Sequence, residues 1–239
     1  MTILKGVAFN NLDARNLPNY SPTEAAAYLR MPLSTLRTWV YGYTPKPRSS
    51  DRRIGPIIRV PSPHSSLLSF FNLVEAHVLS SIRRDYAIPL VKIRRAVKFV
   101  EDKLDSTRPL ATQRFETDGV DLFIRSLGDL INASQGGQVA FEKVLQTYLK
   151  RIEWDQRGVA FRLFPYVRHG IADADQPRSI FVDPNISAGR PVLAGTGIAT
   201  RVVTDRYLAG ESADDLAADY GRKRADIDEA IRFELGAAA

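Results

Sequence analysis

Ile180-Phe181-Val182-Asp183-Pro184, Gly189-Arg190-Pro191-Val192 and Ala194-Gly195-Thr196-Gly197-Ile198 follow one another in the last quarter of the chain. The first is a short apolar run stopped by proline, which has no N–H for a sheet ladder. In the next two, glycines let the backbone turn twice within a short span. Three helical signals come after. Val203 and Tyr207 repeat at i, i+4 and end at Gly210; Ser212 stands three residues before Asp215, as in a capping box, and leads to Leu216 and Tyr220; Ile227, Ile231 and Leu235 share one face. A strand, a Gly-Arg-Pro turn, a Gly-Thr turn and three short helices predict a small trihelical module.

Ile180, Asp183, Pro184, Gly189, Arg190, Pro191, Gly195, Thr196, Ile198, Gly210, Ser212, Ala217, Tyr220, Ile227 and Ala230 give this stretch a resemblance to a widespread prokaryotic family of small helical domains, often found as antitoxins. Where that family has an arginine after Gly-Thr, this chain has Gly197. Tyr207, Leu208, Leu216, Tyr220 and Phe233 are more large apolar groups than so small a module is expected to bury, which points to a partner surface. Packing against the middle of the chain is the plainer alternative. Arg190 and Arg232 are the candidates for engaging acidic groups of a partner, since arginine binds carboxylates bidentately.

The 239 residues, 44% hydrophobic and 25% charged, suit a soluble globular protein with room for two domains. Without cysteine there are no disulfides, thiolate metal sites or cysteine nucleophile, and the composition fits a reducing cytoplasm. No apolar run approaches a membrane span, and residues 1–12 do not read as a signal peptide, so a cytoplasmic location is expected. From Arg30 to Arg108 there are 15 Lys/Arg against 6 Asp/Glu, a net of +9; from Arg178 to Ala239 there are 8 against 10, a net of −2. A basic front and a mildly acidic back imply surfaces with different partners.

In the front, Ser21-Pro22-Thr23-Glu24 starts a helix with serine at N-cap, proline at N1 and glutamate at N3. After a break at Arg30-Met31-Pro32, a second helix from about Leu33 turns Leu36, Trp39 and Val40 inward. Two short helices with a tight turn form a helix-turn-helix candidate. Ser34, Thr35, Arg37, Thr38 and Tyr41 fall on the helix that would enter the major groove; arginine suits guanine O6 and N7, and hydroxyls suit phosphates. Lys46, Arg48, Arg52 and Arg53, in proline-rich basic turns before Ile57-Ile58-Arg59-Val60, read as a phosphate-binding wing.

Tyr20-Ser21-Pro22-Thr23-Glu24-Ala25-Ala26, Ser34-Thr35-Leu36-Arg37-Thr38-Trp39 and this wing resemble the DNA-binding domains of MerR-like and excisionase-like winged-helix families. Pro32 stands where such domains often place a capping serine or threonine. Next, Ser65 or Ser66 is expected to cap a helix with the stripe Leu67, Phe71, Val74, Val78 and Ile82. A further helix follows Pro89, with Leu90, Ile93, Val97, Val100 and Leu104 inward. These stripes read as core, or as a dimer seam, since DNA readers of this kind commonly pair on two half-sites.

In the middle, Val120 to Ile124 reads as a strand after Thr117-Asp118-Gly119. Gln138 to Lys150 reads as a helix with Val139, Val144 and Leu145 inward. Arg151 to Trp154 and Val159 to Phe164 read as a hairpin, and His169 to Pro177 as a polar linker. The expected fold is mainly α with small β elements: a winged helix-turn-helix domain over 1–105, an α/β connecting region over 106–177 and the trihelical domain over 178–239.

Catalytic patterns are sparse. His64, His77 and His169 are isolated from one another, and the glycines at 189, 195 and 197 lack the spacing and lysine of a P-loop. Asp214, Asp215 and Asp219 sit in the first turns of a helix, where they balance its dipole rather than collect a metal. No cofactor and no enzymatic activity are expected.

Two readings remain. The two resemblances together are similar to two-domain VapB-like antitoxins, which implies a PIN-like ribonuclease toxin as partner, operator DNA as ligand, repression of the operon and a homodimer; any magnesium would belong to the toxin. The alternative is a MerR-like transcription regulator whose middle region senses a small molecule, without a toxin.

Overall fold

The computed structural model describes residues 13–44, 54–62, 65–85, 88–128, 137–165 and 176–236. Helices α1 (Pro22–Tyr28) and α2 (Leu33–Tyr41) form the helix-turn-helix. The capping box at α1 is complete: the Ser21 hydroxyl accepts from the Glu24 N–H at 3.2 Å, and the Ser21 N–H donates to Glu24 Oε2 at 2.9 Å. Between the helices Arg30 takes a left-handed backbone at φ 52°, and the Met31 N–H closes onto the Ala26 carbonyl. Pro32 precedes α2 with no side-chain cap; its carbonyl takes the N–H groups of Thr35 and Leu36 instead.

Helix α3 (Phe70–Asp85) is the hub. Phe70, Phe71, Leu73, Val74, Ala76, Val78, Leu79 and Ile82 are all buried, so apolar groups surround it rather than line one stripe. Its start is set by Ser69, not by Ser65 or Ser66: the Asn72 N–H donates to Ser69 Oγ, and the Ser69 N–H donates to Asn72 Oδ1. Asparagine at the third position does the work of the usual Glu or Gln. Leu67 therefore precedes the helix, and its neighbour Leu68 is the buried residue, bridged antiparallel to Tyr20.

Helix α4 (Leu90–Leu104) buries its predicted stripe against α5 (Val120–Leu127), and α6 (Gly137–Leu149) packs on α3. The stripes of α3 and α4 are thus covered within the chain itself. The strand expected over Val120 to Ile124 is helical. Val120, Phe123, Ile124 and Leu127 form one buried helical face, which outweighs the β preference of Val and Ile. The Thr117-Asp118-Gly119 stretch is likewise part of a π-helical turn, Phe115–Gly119, leading into α5. Gly119 is required there because a Cβ would press into the Phe115 ring at 2.7 Å. In α6, Leu145 is buried, but Val139, expected inward, is 79% exposed near the helix start.

The hairpin forms as expected, with β1 (Ile152–Trp154) antiparallel to β2 (Ala160–Leu163). Beyond it β3 (Ile180–Phe181) pairs antiparallel with β4 (Val192–Leu193), and Val182 bridges back to Leu163. One core runs from Tyr20 to Val182 and takes residues from α1 to α6 and the hairpin. The linker expected over His169 to Pro177 falls largely outside the described residues.

Three helices complete the chain: α7 (Thr200–Leu208), α8 (Ala213–Tyr220) and α9 (Arg224–Leu235). Leu193, Val203, Leu216, Ile227, Ala230 and Ile231 make their small core. Among the described residues no helix is long and apolar enough to cross a membrane.

Candidate functional site

Helix α2 turns Leu36, Trp39 and Val40 into the core and leaves Ser34 and Arg37 exposed on the opposite side. Thr38 donates to the Ser34 carbonyl at 2.8 Å, and the Tyr41 hydroxyl to the Ser66 carbonyl at 3.0 Å. Those two side chains are held by their own chain, whereas Arg37 makes no ion pair among the described residues. Ser34, Thr35, Thr38 and Tyr43 line a groove of about 510 Å³ whose far wall is the start of α4.

The base of the wing is formed by an antiparallel bridge between Tyr43 and Ile54, with the N–H groups of Ile57 and Ile58 both donating to the Trp39 carbonyl. Gly42, at φ 74°, lies where a Cβ would run into the Ile54 carbonyl. Only glycine lets the two limbs close directly behind α2. Lys46, Arg48, Arg52 and Arg53 lie outside the described residues.

Beneath this base sits a polar network that long-range contacts build and local sequence does not announce. Arg108 Nη1 reaches both carboxylate oxygens of Glu75, at 3.2 and 3.0 Å, and its Nη2 donates to Asn16 Oδ1 and the Arg59 carbonyl. Asn72 Nδ2 donates to Glu75 Oε2 and to the same Arg59 carbonyl. The chain returning from the wing is thereby fixed to α3. Burial pushes the Glu75 carboxyl above its ordinary range, although Arg108 draws it down. Arg15, ahead of α1, is also buried and joins Asp13 at 2.6 Å and Asp155 at 2.8 Å.

The candidate partner residues divide. Tyr207 is 40% and Leu208 63% exposed, on the outer side of α7. Leu216 is fully buried in the small core, and Tyr220 packs against that core with the Arg206 guanidinium 5.1 Å over its ring. Phe233 is buried against α1, 6.2 Å from the Tyr28 ring and under Arg30 at 5.3 Å. Leu216 and Phe233 are therefore interior residues in this chain. The apolar surplus that Phe233 represented in the sequence is taken up by the helix-turn-helix, not by the middle hairpin.

Arg190 is also engaged by its own chain, although its side chain stays exposed. It pairs with Glu24 and lies 3.4 Å from the Tyr28 hydroxyl. Burial works against the Glu24 charge, yet the Ser21 hydrogen bonds and Arg190 hold its carboxyl below the usual range. Arg30 completes the contact by donating to the carbonyls of Arg232 and Phe233 at the end of α9, where a cation suits the helix dipole. Arg232 itself pairs with Glu229. Between α1 and α7 a groove of about 570 Å³ remains, lined by Tyr28, Arg190, Thr200 and Val202. Asp214, Asp215 and Asp219 do not converge: they engage Arg224, Ser212 and Arg206 respectively.

Residues 18–97 match a family described as "Putative DNA-binding HTH domain", and residues 180–233 match one described as "Protein of unknown function (DUF433)". A helix-turn-helix unit thus stands in front and a DUF433 domain behind. Two Mycobacterium tuberculosis proteins are similar along most of their length. "Putative antitoxin VapB45" is 29% identical over 86% of this chain and 89% of its own; "Uncharacterized protein Rv2308" is 24% identical over 90% and 89%. The crystal structure of Rv2018 from the same organism superposes with a TM-score of 0.63 at 24% identity, covering 90% of this chain and 97% of that one. That last likeness speaks to the fold alone.

Proposed function

We propose that this chain is the antitoxin of a type II toxin–antitoxin pair, reading operator DNA with its front and holding a PIN-like ribonuclease toxin with its back. The observation that carries this is the arrangement of two units in one chain. A helix-turn-helix presents Ser34 and Arg37 outward, and a DUF433 module is joined to α1 through Arg190 and Arg30. The alignment with the protein named antitoxin VapB45 runs across both units, which supports reading them together.

In this reading Arg37 meets base edges, Ser34 and Thr35 meet phosphates, and the basic residues of the wing (Lys46, Arg48, Arg52, Arg53) follow the backbone beside them. Tyr207 and Leu208, exposed on α7, form the centre of the toxin-facing surface. The chain pairs as a homodimer on two half-sites and represses the operon that encodes it and its toxin. It has no catalytic step of its own, and the magnesium chemistry belongs to the toxin.

Co-expression with the product of the neighbouring reading frame tests the proposal. The expected result is co-purification of the two, loss of the partner's ribonuclease activity, and a duplex from upstream of the operon retarded in a gel. A neighbour that neither binds this chain nor cleaves RNA would defeat it.

A further inference from the structure

The acidic and basic groups along α4 do not cancel. Between the return limb of the wing base, at Pro56 and Ile57, and the exposed side of α4 lies an open groove of about 500 Å³. Its two carboxylates are already engaged: Glu101 takes Arg59 at 3.1 Å, and Lys98 approaches Glu101 at 3.4 Å and Asp102 at 2.8 Å. Two arginines of the same wall, Arg94 and Arg95, have no ion pair among the described residues. Arg95 is exposed. Arg94 is not: its Nε and Nη2 are covered and find no hydrogen-bond acceptor. Its Nη1 lies near Gly55, where a Cβ would stand 3.9 Å away.

Two covered guanidinium N–H sites without an acceptor are costly, because they have lost water and gained nothing in exchange. Covered guanidinium N–H groups are ordinarily matched within the fold, as those of Arg15 and Arg108 are here. Arg94 departs from that pattern, and burial pulls its pKa down with only the nearby Tyr43 opposing. An anion entering the groove would offer what the chain does not. The planar fork of donors on arginine favours an oxyanion with several oxygens, and two adjacent arginines favour one with more than a single negative charge or a run of them.

We infer that the groove between the wing base and α4 is a phosphate-binding site, with Arg94 as its floor and Arg95 as its second cation. The phosphate comes either from the backbone of the duplex read by α2 or from a free phosphorylated small molecule. The first source rests on the DNA-reading proposal and deepens it. The neighbouring groove along α2 is walled by the start of the same helix α4, so a duplex lying on α2 brings its phosphates to the α4 side of the molecule. The second source is independent of that proposal.

Two probes separate the sources. Pyrophosphate is titrated into the full chain at low ionic strength, with the melting temperature and tryptophan fluorescence read. Duplex binding is measured at several salt concentrations. Arg95→Gln is the safe variant, because the side chain is exposed; Arg94→Gln removes a half-buried cation with two unmatched N–H sites and is expected to leave the free chain folded and no less heat-stable. The wild type should show a saturable rise in melting temperature with pyrophosphate that the double variant loses, or a salt dependence of duplex binding whose slope falls by about 1–2 in the double variant. Loss of the first alone assigns a free phosphate compound. Loss of the second alone assigns the DNA backbone. If the wild type fails to bind any duplex, the pyrophosphate arm still decides this site. Unchanged behaviour of Arg94→Gln/Arg95→Gln in both arms overturns the inference.

Discussion

Replacing Arg108 by methionine should remove a large share of this protein's stability. The guanidinium makes two bonds to Glu75, one to Asn16 and one to the Arg59 carbonyl, and lies 5.9 Å over the Phe71 ring. Methionine keeps much of the apolar contact and none of the bonds. Glu75 would then be left buried with Asn72 as its remaining side-chain donor. Removing one partner of a buried ion pair costs about 3–5 kcal/mol, because the other charge stays behind without compensation. Against the roughly 5–15 kcal/mol that holds a typical protein folded, that is a drastic loss. Removing both charges, as in Glu75→Leu/Arg108→Met, should restore most of it. Urea unfolding followed by tryptophan fluorescence gives both numbers. The pH dependence supplies a second check. Because burial raises the Glu75 carboxyl in the folded chain, the native state holds that proton to higher pH than the unfolded state does. Stability from this group therefore falls as pH rises above the unfolded value of about 4.3. Glu75→Gln should flatten that fall, and Arg108→Met should carry it to higher pH. A single variant within about 1 kcal/mol of wild type, or a double variant no better than the single, would refute the account of the pair as a mutually dependent buried unit.

Arg37→Ala should cost about 1–3 kcal/mol of binding to the operator, whereas Arg52→Ala should weaken all duplexes alike and flatten the salt dependence; gel shifts at several salt concentrations tell them apart. Asp155 should behave oppositely to Glu75 with pH. Burial opposes its charge, but the bonds from Val159, Arg15 and Arg157 hold its carboxyl low, so its contribution is full above about 3.9 and is lost in more acidic solution; Asp155→Asn should diminish that acid-side loss in a melting series. Gly189→Ala should cost about 2–4 kcal/mol, since φ is 76° and the new methyl group meets the Tyr20 hydroxyl; calorimetry is the measure, and a neutral outcome would contradict the packing of the module on α1. Deleting residues 184–239, a cut that spares Val182 for the main core, should abolish toxin capture while leaving duplex binding; a truncated chain that still captures the toxin would move the partner site forward.

Features that depend on a few adjacent residues were legible in the sequence. Ser21 and Glu24 announce α1 because both halves of their capping box lie within one turn, and the order of strand, glycine turns and three helices in the last quarter is equally local. Val120 to Ile124 misleads for a physical reason: β-branched residues suit a strand until four of the neighbouring apolar groups find one helical face against α4. The start of α3 was displaced because Asn72, rather than Glu or Gln, answers Ser69. At the candidate site, the outward face of α2 follows from its periodicity. The positions of Arg190, Phe233 and Arg30 do not, because their partners are on the opposite end of the chain: Glu24 and Tyr28 for the first two, the last carbonyls of α9 for the third. The buried pair of Glu75 and Arg108 is hidden for the same reason.

The single core from Tyr20 to Val182 has a consequence during synthesis. A nascent chain leaves the ribosome from its N-terminus, yet α1 and α2 rest on a helix that is itself walled by α6 and the hairpin. The outward face of α2 is therefore unsupported until the last of these segments has emerged. At roughly 5–20 residues per second, the wait is about 6 to 25 seconds. Once α3 has emerged, its apolar sides stand open to water until α6 and the hairpin follow, and a growing chain is a substrate for chaperones before it is a ligand for anything else.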